Sequence, residues 1–311
     1  AALIGLVMIG LLGGCSRLRE LSSAPPPRVI PTAEPTEVQT GMLADAWTAT
    51  DDGDYDDALM LFQELLSENP TITEAYLGVG EIHLIQKDYA KAEPAFARAA
   101  RLEPRNFDAQ YGHGVALQML DRLFEAVRAY HRALTIDPES VKANLNLATT
   151  YLQLDDPERA VVFAERAVRL DPANGPAHAN LGAAYERVDR NAEAVNAYIS
   201  AIELMGNEPR LLTKLINALA KEDRYQEAVN TAQTLIRINP NAEAYERMGW
   251  CAFKLRQYEN SMQAYQNAVE LDPTYWQAWN GIGVNALNAW LLSEKSDADA
   301  RTSARDAFRR S

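Results

Sequence analysis

Cysteine is nearly absent from this chain, which carries only Cys15 and Cys251 among 311 residues. Two cysteines allow one intrachain disulfide at most, and none once either of them is modified. Cys251 stands beside Trp250 and Phe253 in a segment with helical patterning. This position favours a packed core residue, with a reactive thiol as the alternative.

Basic charge is also scarce, because 30 lysines and arginines face 43 aspartates and glutamates and leave a net charge of −13. Nucleic acid is therefore not expected as a partner, since phosphate binding requires a basic face. An acidic balance favours solubility. A basic protein partner is the alternative interpretation.

Signatures of enzymes and metal sites are missing as well. The four histidines are spread along the chain without a cysteine or carboxylate at metal-ligand spacing: His83, His113, His131 and His178. No P-loop, HExxH or GxSxG sequence occurs, and the GxG pairs recur at one helix position instead of following a strand. We therefore expect no catalytic residue, no metal and no cofactor, and predict that the chain is not an enzyme.

A period of 34 residues dominates what is present. Alanine recurs at this interval at Ala58, Ala92, Ala126, Ala160, Ala194 and Ala228. Proline keeps the same interval at Pro70, Pro104, Pro138 and Pro172, and again at Pro240. A repeat of this length is typical of an array of helical hairpins.

The residues inside one period resemble the tetratricopeptide repeat (TPR). Small residues recur at Gly80, Gly114, Ala148, Gly182 and Gly249, and aromatic residues at Phe62, Phe96, Tyr130, Tyr198 and Tyr265. The resemblance implies an all-α fold, a right-handed solenoid of about seven to eight repeats over residues 41–311, in which aromatic rings fill the space beside close helix crossings. Three departures stand out: Ile216 replaces a small residue, Ser261 replaces an alanine, and Pro94 should bend or shorten its helix.

The first fifteen residues resemble a bacterial lipoprotein signal. The uncharged segment 1–12 is followed by Gly13, Gly14 and Cys15. The resemblance implies a signal peptide over residues 1–14, whose charged n-region is missing here, and lipidation of Cys15; a buried apolar helix is the alternative. Ser16 stands where aspartate would signal inner-membrane retention, so the resemblance implies a cell-envelope protein on the periplasmic face of the outer membrane.

Residues 15–40 contain the lipidated cysteine and then a proline-rich segment with Pro25, Pro26, Pro27, Pro31 and Pro35. This segment shows no apolar periodicity. Proline-rich chain is extended and semi-rigid, which predicts a tether between the anchor and the repeats.

By the same resemblance, the first helix of each repeat lines an inner groove. Early groove positions include Glu74, Glu81 and Asp108, whereas the middle of the chain is amide-rich and basic at Asn146, Asn180, Arg187, Arg210, Lys214, Asn217 and Lys221. Side-chain amides can pair with the backbone of an extended peptide, and Lys214 and Lys221 can hold a carboxylate. The alternative is that these exposed positions are polar for solubility.

Aromatic residues concentrate toward the end of the sequence, with possible partner contacts at Trp250, Trp276, Trp279 and Trp290. Packing is the alternative role for them. After Leu292 comes a polar insertion, 293–299, and then Ala304 and Phe308 reproduce second-helix spacing. The final repeat is thus irregular or truncated; it is either the edge of a fragment or a short cap that packs Phe308 on the array.

Together these features predict a membrane-anchored scaffold or adaptor of the bacterial envelope that binds a protein or extended peptide in its groove. Lipoproteins of this type serve in pilus assembly, as pilotins, or bring substrates to envelope proteases. Two alternatives remain open: a substrate-recognition arm of a longer enzyme, such as a glycosyltransferase or peptidase continuing beyond Ser311, and an oligomeric envelope spacer built as a homo-oligomer.

Overall fold

The structure, a computed structural model, describes residues 34–293, 295 and 297–311. The predicted signal peptide, Cys15 and most of the predicted tether lie outside the described residues. The described residues form sixteen α-helices and no strand, which confirms the predicted all-α fold of repeated helical hairpins. Among them, no helix combines the length and apolarity that a membrane crossing requires.

The sixteen helices alternate along the described chain as first and second helices of successive repeats. The first helices are α1 (Glu37–Asp52), α3 (Thr73–Ile85), α5 (Phe107–Met119), α7 (Val141–Gln153), α9 (Gly175–Arg187), α11 (Pro209–Lys221), α13 (Ala242–Lys254) and α15 (Trp276–Leu292). The second helices are α2 (Tyr55–Glu68), α4 (Tyr89–Leu102), α6 (Leu123–Ile136), α8 (Pro157–Leu170), α10 (Asn191–Met205), α12 (Tyr225–Ile238), α14 (Tyr258–Leu271) and α16 (Ala298–Phe308). The described residues divide into two compact units, one that ends at Ala116 and one that begins at Leu117.

Helix α1 begins four residues before the start expected at residue 41. Its start is fixed by a capping box, in which the Thr36 hydroxyl accepts from the Gln39 amide at 3.3 Å and the Gln39 side chain accepts from the Thr36 amide at 3.2 Å. The helix ends at Asp52, and Gly53, with a positive φ of 85°, is its C-cap residue.

Short turns join the two helices of a hairpin. A residue in the left-handed region, with φ between 56° and 61°, recurs at Lys87, Asp121, Asp155, Asp189, Asp223 and Arg256. Aspartate tolerates this conformation better than most residues, which explains its recurrence. The periodic prolines follow the C-termini of second helices, where they prevent the helix from continuing.

Glycine positions and aromatic rings account for the close packing between helices. A Cβ built on Gly281 would lie 2.3 Å from the Tyr265 ring, and one on Gly249 would lie 3.1 Å from the same ring. In the first unit, Phe96 contacts Gly80 and Gly112 in the same way. Each ring thus fills the space above two first helices, as predicted.

The sequence departures have local explanations. Pro94 does not shorten α4, which has 14 residues like α2 and α6. Ser261 is buried, but its hydroxyl donates to the Gly249 carbonyl at 2.7 Å and accepts from the Asn285 amide at 2.9 Å, so the polar atom is satisfied. Ile216 is buried beside the groove.

The last hairpin differs from the others. Helix α15 has 17 residues, longer than the 13 of α13, and α16 has only 11. Phe308 packs above Gly283, where a Cβ would lie 2.7 Å from its ring. Helix α16 therefore repeats the ring-over-glycine packing of a regular second helix.

Candidate functional site

The candidate site is a row of three adjoining cavities in the second unit, lined mainly by first helices. Cavity I, of about 430 Å³, is lined by α9, α11 and α13 residues that include Arg210, Lys214, Asn217 and Glu243. Cavity II, of about 410 Å³, shares Asn217 with cavity I and adds Glu186, Lys221 and Glu246. Cavity III, of about 320 Å³, shares Glu246 and Trp250 with cavity II and adds α15 residues that include Trp276 and Asn280.

Lys214 and Lys221 meet a carboxylate of the chain itself. Their Nζ atoms lie 3.5 Å and 3.3 Å from the carboxylate of Glu186, which also accepts from the Tyr198 hydroxyl at 3.0 Å. Burial alone would raise the pKa of Glu186, but Lys214, Tyr198 and Lys221 together hold it below its ordinary value. The sequence analysis did not single out Glu186. Because Glu186 already pairs with both lysines, a ligand carboxylate would have to share them with it.

Arg210 has no such partner. Its side chain is exposed and lines cavity I, and no hydrogen-bond or ion-pair partner contacts it within the described part of the chain. Glu243, on the same cavity, is paired with Arg247 at 3.0 Å. With two lysines opposed by one carboxylate and Arg210 unopposed, cavity I and its border with cavity II carry net positive charge.

The other predicted amide and basic residues lie outside the lining of the three cavities. The Asn180 amide donates to the Thr149 hydroxyl at 2.6 Å, and Arg187 pairs with Asp155. Asn146 is half-buried on α7, where its backbone carbonyl accepts from the Thr150 hydroxyl at 2.7 Å. Asn146, Asn180 and Lys214 occupy equivalent repeat positions, and only Lys214 lines a cavity of the row.

The predicted aromatic residues divide into two groups. Trp250 and Trp276 are 38% and 54% exposed and line the cavity row. Trp279 donates its indole N–H to the Pro273 carbonyl at 2.9 Å, and its ring lies under Arg310. Tyr76 and His178 form the equivalent hydrogen bonds with the carbonyls of Pro70 and Pro172. Trp290 is half-buried, with Lys295 and Arg301 each 6.0 Å from its ring.

Glu246, on α13, was not singled out from the sequence. It lines cavities II and III, and burial raises the pKa of its carboxyl group above the ordinary value. The described residues supply no hydrogen bond or ion pair to this carboxylate. Its repeat equivalent, Thr213, also lines the row, but no feature of the sequence marked either residue.

The cysteine and two of the histidines, the side chains best suited to reactive chemistry, are buried or contacted by neighbouring side chains. Cys251 is 1% exposed, and burial raises the pKa of its thiol to about 12. The His113 ring lies 3.3 Å from Glu93, and the His131 ring lies 3.0 Å from the Tyr151 hydroxyl. Among the described residues, no group of three metal-ligating side chains is brought together.

Comparison with known structures identifies proteins with the same fold. The C-terminal part of a TPR repeat-containing protein from Cytophaga hutchinsonii is 17% identical, with a TM-score of 0.64 and coverage of 77% of this chain and 99% of that one. The pilF protein of Pseudomonas aeruginosa is 18% identical, with a TM-score of 0.58 and coverage of 67% and 95%. YrrB, described as a TPR protein with an unusual peptide-binding site, is 20% identical, with a TM-score of 0.56 and coverage of 59% and 95%.

Sequence comparison gives the family. No curated protein sequence matches this chain. Family models for the tetratricopeptide repeat match residues 43–106, 88–141, 120–185 and 242–275, which together exceed half of the chain. Proteins of this type are generally scaffolds for protein–protein interaction and not enzymes. The matches, the hairpin fold and the ring-over-glycine packing agree, and the chain belongs to the tetratricopeptide repeat family.

Proposed function

We propose that this protein is a lipid-anchored scaffold of the bacterial cell envelope that binds an extended peptide of a partner protein along cavities I to III. The observation that carries the proposal is the row itself, in which the unpaired Arg210 lies at one end and the exposed Trp250 and Trp276 at the other. Exposed tryptophan and arginine side chains are the residue types that dominate binding energy in interfaces.

The shape of the row favours an extended segment over a compact ligand. The three cavities adjoin through shared lining residues, Asn217 between I and II, and Glu246 and Trp250 between II and III. A peptide along this path would meet hydrogen-bonding amides from Asn217 and Asn280. Asn217 thus remains in the proposed binding site, whereas Asn146, Asn180 and Arg187 do not.

Anchoring is the second part of the proposal, and it is supported by the sequence alone. The apolar segment before Cys15 and the proline-rich segment after it fit a lipoprotein that holds its repeats away from the outer membrane on the periplasmic side. Replacing Cys15 with alanine should move the protein from the membrane fraction to the soluble fraction. Retention of the variant in the membrane fraction would contradict lipidation at Cys15.

Partner binding is tested with charge reversals matched in chemistry and exposure. Full-length wild type, Arg210→Glu and Arg237→Glu are used to capture partners from detergent-solubilised native membranes, after circular dichroism shows equal helicity. Arg237 is exposed on second helix α12 and lies outside the lining of the three cavities. Overlapping synthetic peptides of each captured protein are then titrated against the three proteins.

The proposal expects a peptide that binds wild type and Arg237→Glu equally and Arg210→Glu at least about tenfold more weakly, since a charge-assisted contact contributes about 1.5–3 kcal/mol. Equal binding by all three proteins would move the interaction away from cavity I. Captured proteins from which no peptide binds would indicate recognition of a folded surface instead.

A further inference from the structure

Two carboxylates line cavity II, and they differ in what surrounds them. Glu186 is contacted by two lysine ammonium groups and one tyrosine hydroxyl. Glu246, which cavity II shares with cavity III, receives no donor from the described residues. A carboxylate removed from water without a donor is costly, so a ligand that supplies a donor gains more there than at an exposed glutamate.

The charged groups near Glu246 are already engaged. Arg247 attracts the Glu246 carboxylate, but its ion pair, at 3.0 Å, is with Glu243, and Lys254 lies 5.1 Å from the centre of the Trp250 ring. Lys221 belongs to the Glu186 cluster. The α15 residues that line cavity III include Trp276, Gln277 and Asn280 and carry no charge. Glu246 and Lys254 are therefore the two charged residues among the described lining of cavity III; Lys254 lies against Trp250, and the Glu246 carboxylate accepts no hydrogen bond and forms no ion pair there.

The aromatic surroundings add a preference for a particular kind of cation. Lys254 lies over the Trp250 ring, but Trp276, which also lines cavity III, is more than half exposed. An indole face attracts a cation and also packs against the methylene stem of a long side chain. A metal ion or a small anion would not use this apolar surface.

We propose that Glu246 and Trp276 form a pocket that takes a basic side chain, lysine or arginine, of the bound peptide. This inference rests on the proposed peptide-binding function and specifies one feature of the ligand. The ammonium or guanidinium group donates to the Glu246 carboxylate while its stem lies against Trp276. The basic residue of the peptide would thus lie at the α13–α15 end of the row, away from the positive charge around Arg210.

The test uses an array of ten-residue peptides, acetylated and amidated, composed of Ser, Asn, Thr and Leu. Each peptide is made in matched versions with lysine, norleucine or glutamate at one central position, so that the stem is kept while the charge is removed or reversed. The array is probed with full-length wild type, Glu246→Gln and Glu259→Gln. Glu259→Gln is the control, because it makes the same change in charge at an exposed residue of α14 that lies outside the lining of the three cavities.

Wild type and Glu259→Gln should bind the lysine versions at least about tenfold more tightly than the norleucine versions, and Glu246→Gln should lose most of that preference. Peptide binding without a lysine preference in wild type, a preference for glutamate, or a preference that persists in Glu246→Gln would each overturn the inference while leaving the proposed function in place. If no peptide binds any of the three proteins, the proposed function fails and the inference fails with it.

Discussion

At the scale of single residues, one cavity contains two glutamates whose surroundings act in opposite directions. Glu186 is stabilised in its charged form by Lys214, Lys221 and Tyr198, and its pKa is lowered. Burial of the Glu246 carboxylate outweighs the attraction of Arg247, and its pKa is raised. Residue type does not distinguish these two groups, whereas their neighbours do.

Replacing Glu186 with glutamine should reduce the free energy of unfolding at pH 7 by about 1 kcal/mol, a modest value because both lysines are partly exposed. A carboxyl group with a lowered folded-state pKa contributes stability above its unfolded pKa, which is ordinarily 4.5. The difference between wild type and variant should therefore shrink as the pH falls below about 4.5. Urea unfolding of both proteins at several pH values measures it, and a difference independent of pH would contradict the ion-pair assignment.

Replacing Glu246 with glutamine should act with the opposite sign. Because its folded-state pKa is raised, ionised Glu246 destabilises the native protein, and the variant should be more stable at pH 7 by up to about 1 kcal/mol. The gain should disappear as the pH falls through the raised pKa of Glu246, where wild type binds its own proton. Urea unfolding at several pH values again measures the difference. Loss of stability in this variant at pH 7 would indicate that the carboxylate is satisfied in solution.

At the scale of helices and hairpins, glycine positions decide how closely two first helices approach one aromatic ring. Tyr265 lies over both Gly249 and Gly281, and the space above Gly281 is the tighter of the two. In contrast, a Cβ on Gly41 in α1 would meet nothing within 4 Å. The same substitution therefore has opposite effects at two helical glycines.

Gly281→Ala should lower the free energy of unfolding by about 1–3 kcal/mol, because the new Cβ would lie 2.3 Å from the Tyr265 ring and the ring must shift. Gly41→Ala should raise it by about 0.5–1 kcal/mol, through helix propensity alone. Urea unfolding monitored by circular dichroism compares the two variants with wild type. Equal effects at the two sites would mean that Tyr265 does not pack against Gly281.

This hairpin packing was predictable from the sequence, because a ring and a glycine recur at fixed positions and each hairpin meets only its neighbours. The pairing of Glu186 with Lys214 and Lys221 was not. It joins residues on two different first helices and depends on side-chain conformations that the repeat pattern does not encode. Glu246 was missed for the same reason, since the absence of a partner is visible only when every neighbouring side chain is placed.

At the scale of the whole molecule, the excess of acidic residues is only partly compensated by ion pairs. The net charge is −13, and many of the pairs are exposed contacts three or four residues apart within one helix or its cap, such as Arg247 with Glu243 and Arg224 with Glu227. Exposed pairs of this kind contribute little to stability. Repulsion among the uncompensated carboxylates should then dominate the response of the protein to salt.

Raising the salt concentration from about 10 mM to about 100 mM shortens the Debye length from about 30 Å to about 10 Å. The free energy of unfolding in urea, which is uncharged, should therefore rise on the order of 1 kcal/mol for the whole protein.

Asp51 and Asp52 are exposed in the last turn of α1, where negative charge is also unfavourable to the helix dipole. The double variant Asp51→Asn, Asp52→Asn should be more stable than wild type at low salt and should gain less from added salt. A midpoint that falls with salt in wild type would show instead that attractive pairs, such as Glu186 with its two lysines, outweigh the general repulsion across the molecule.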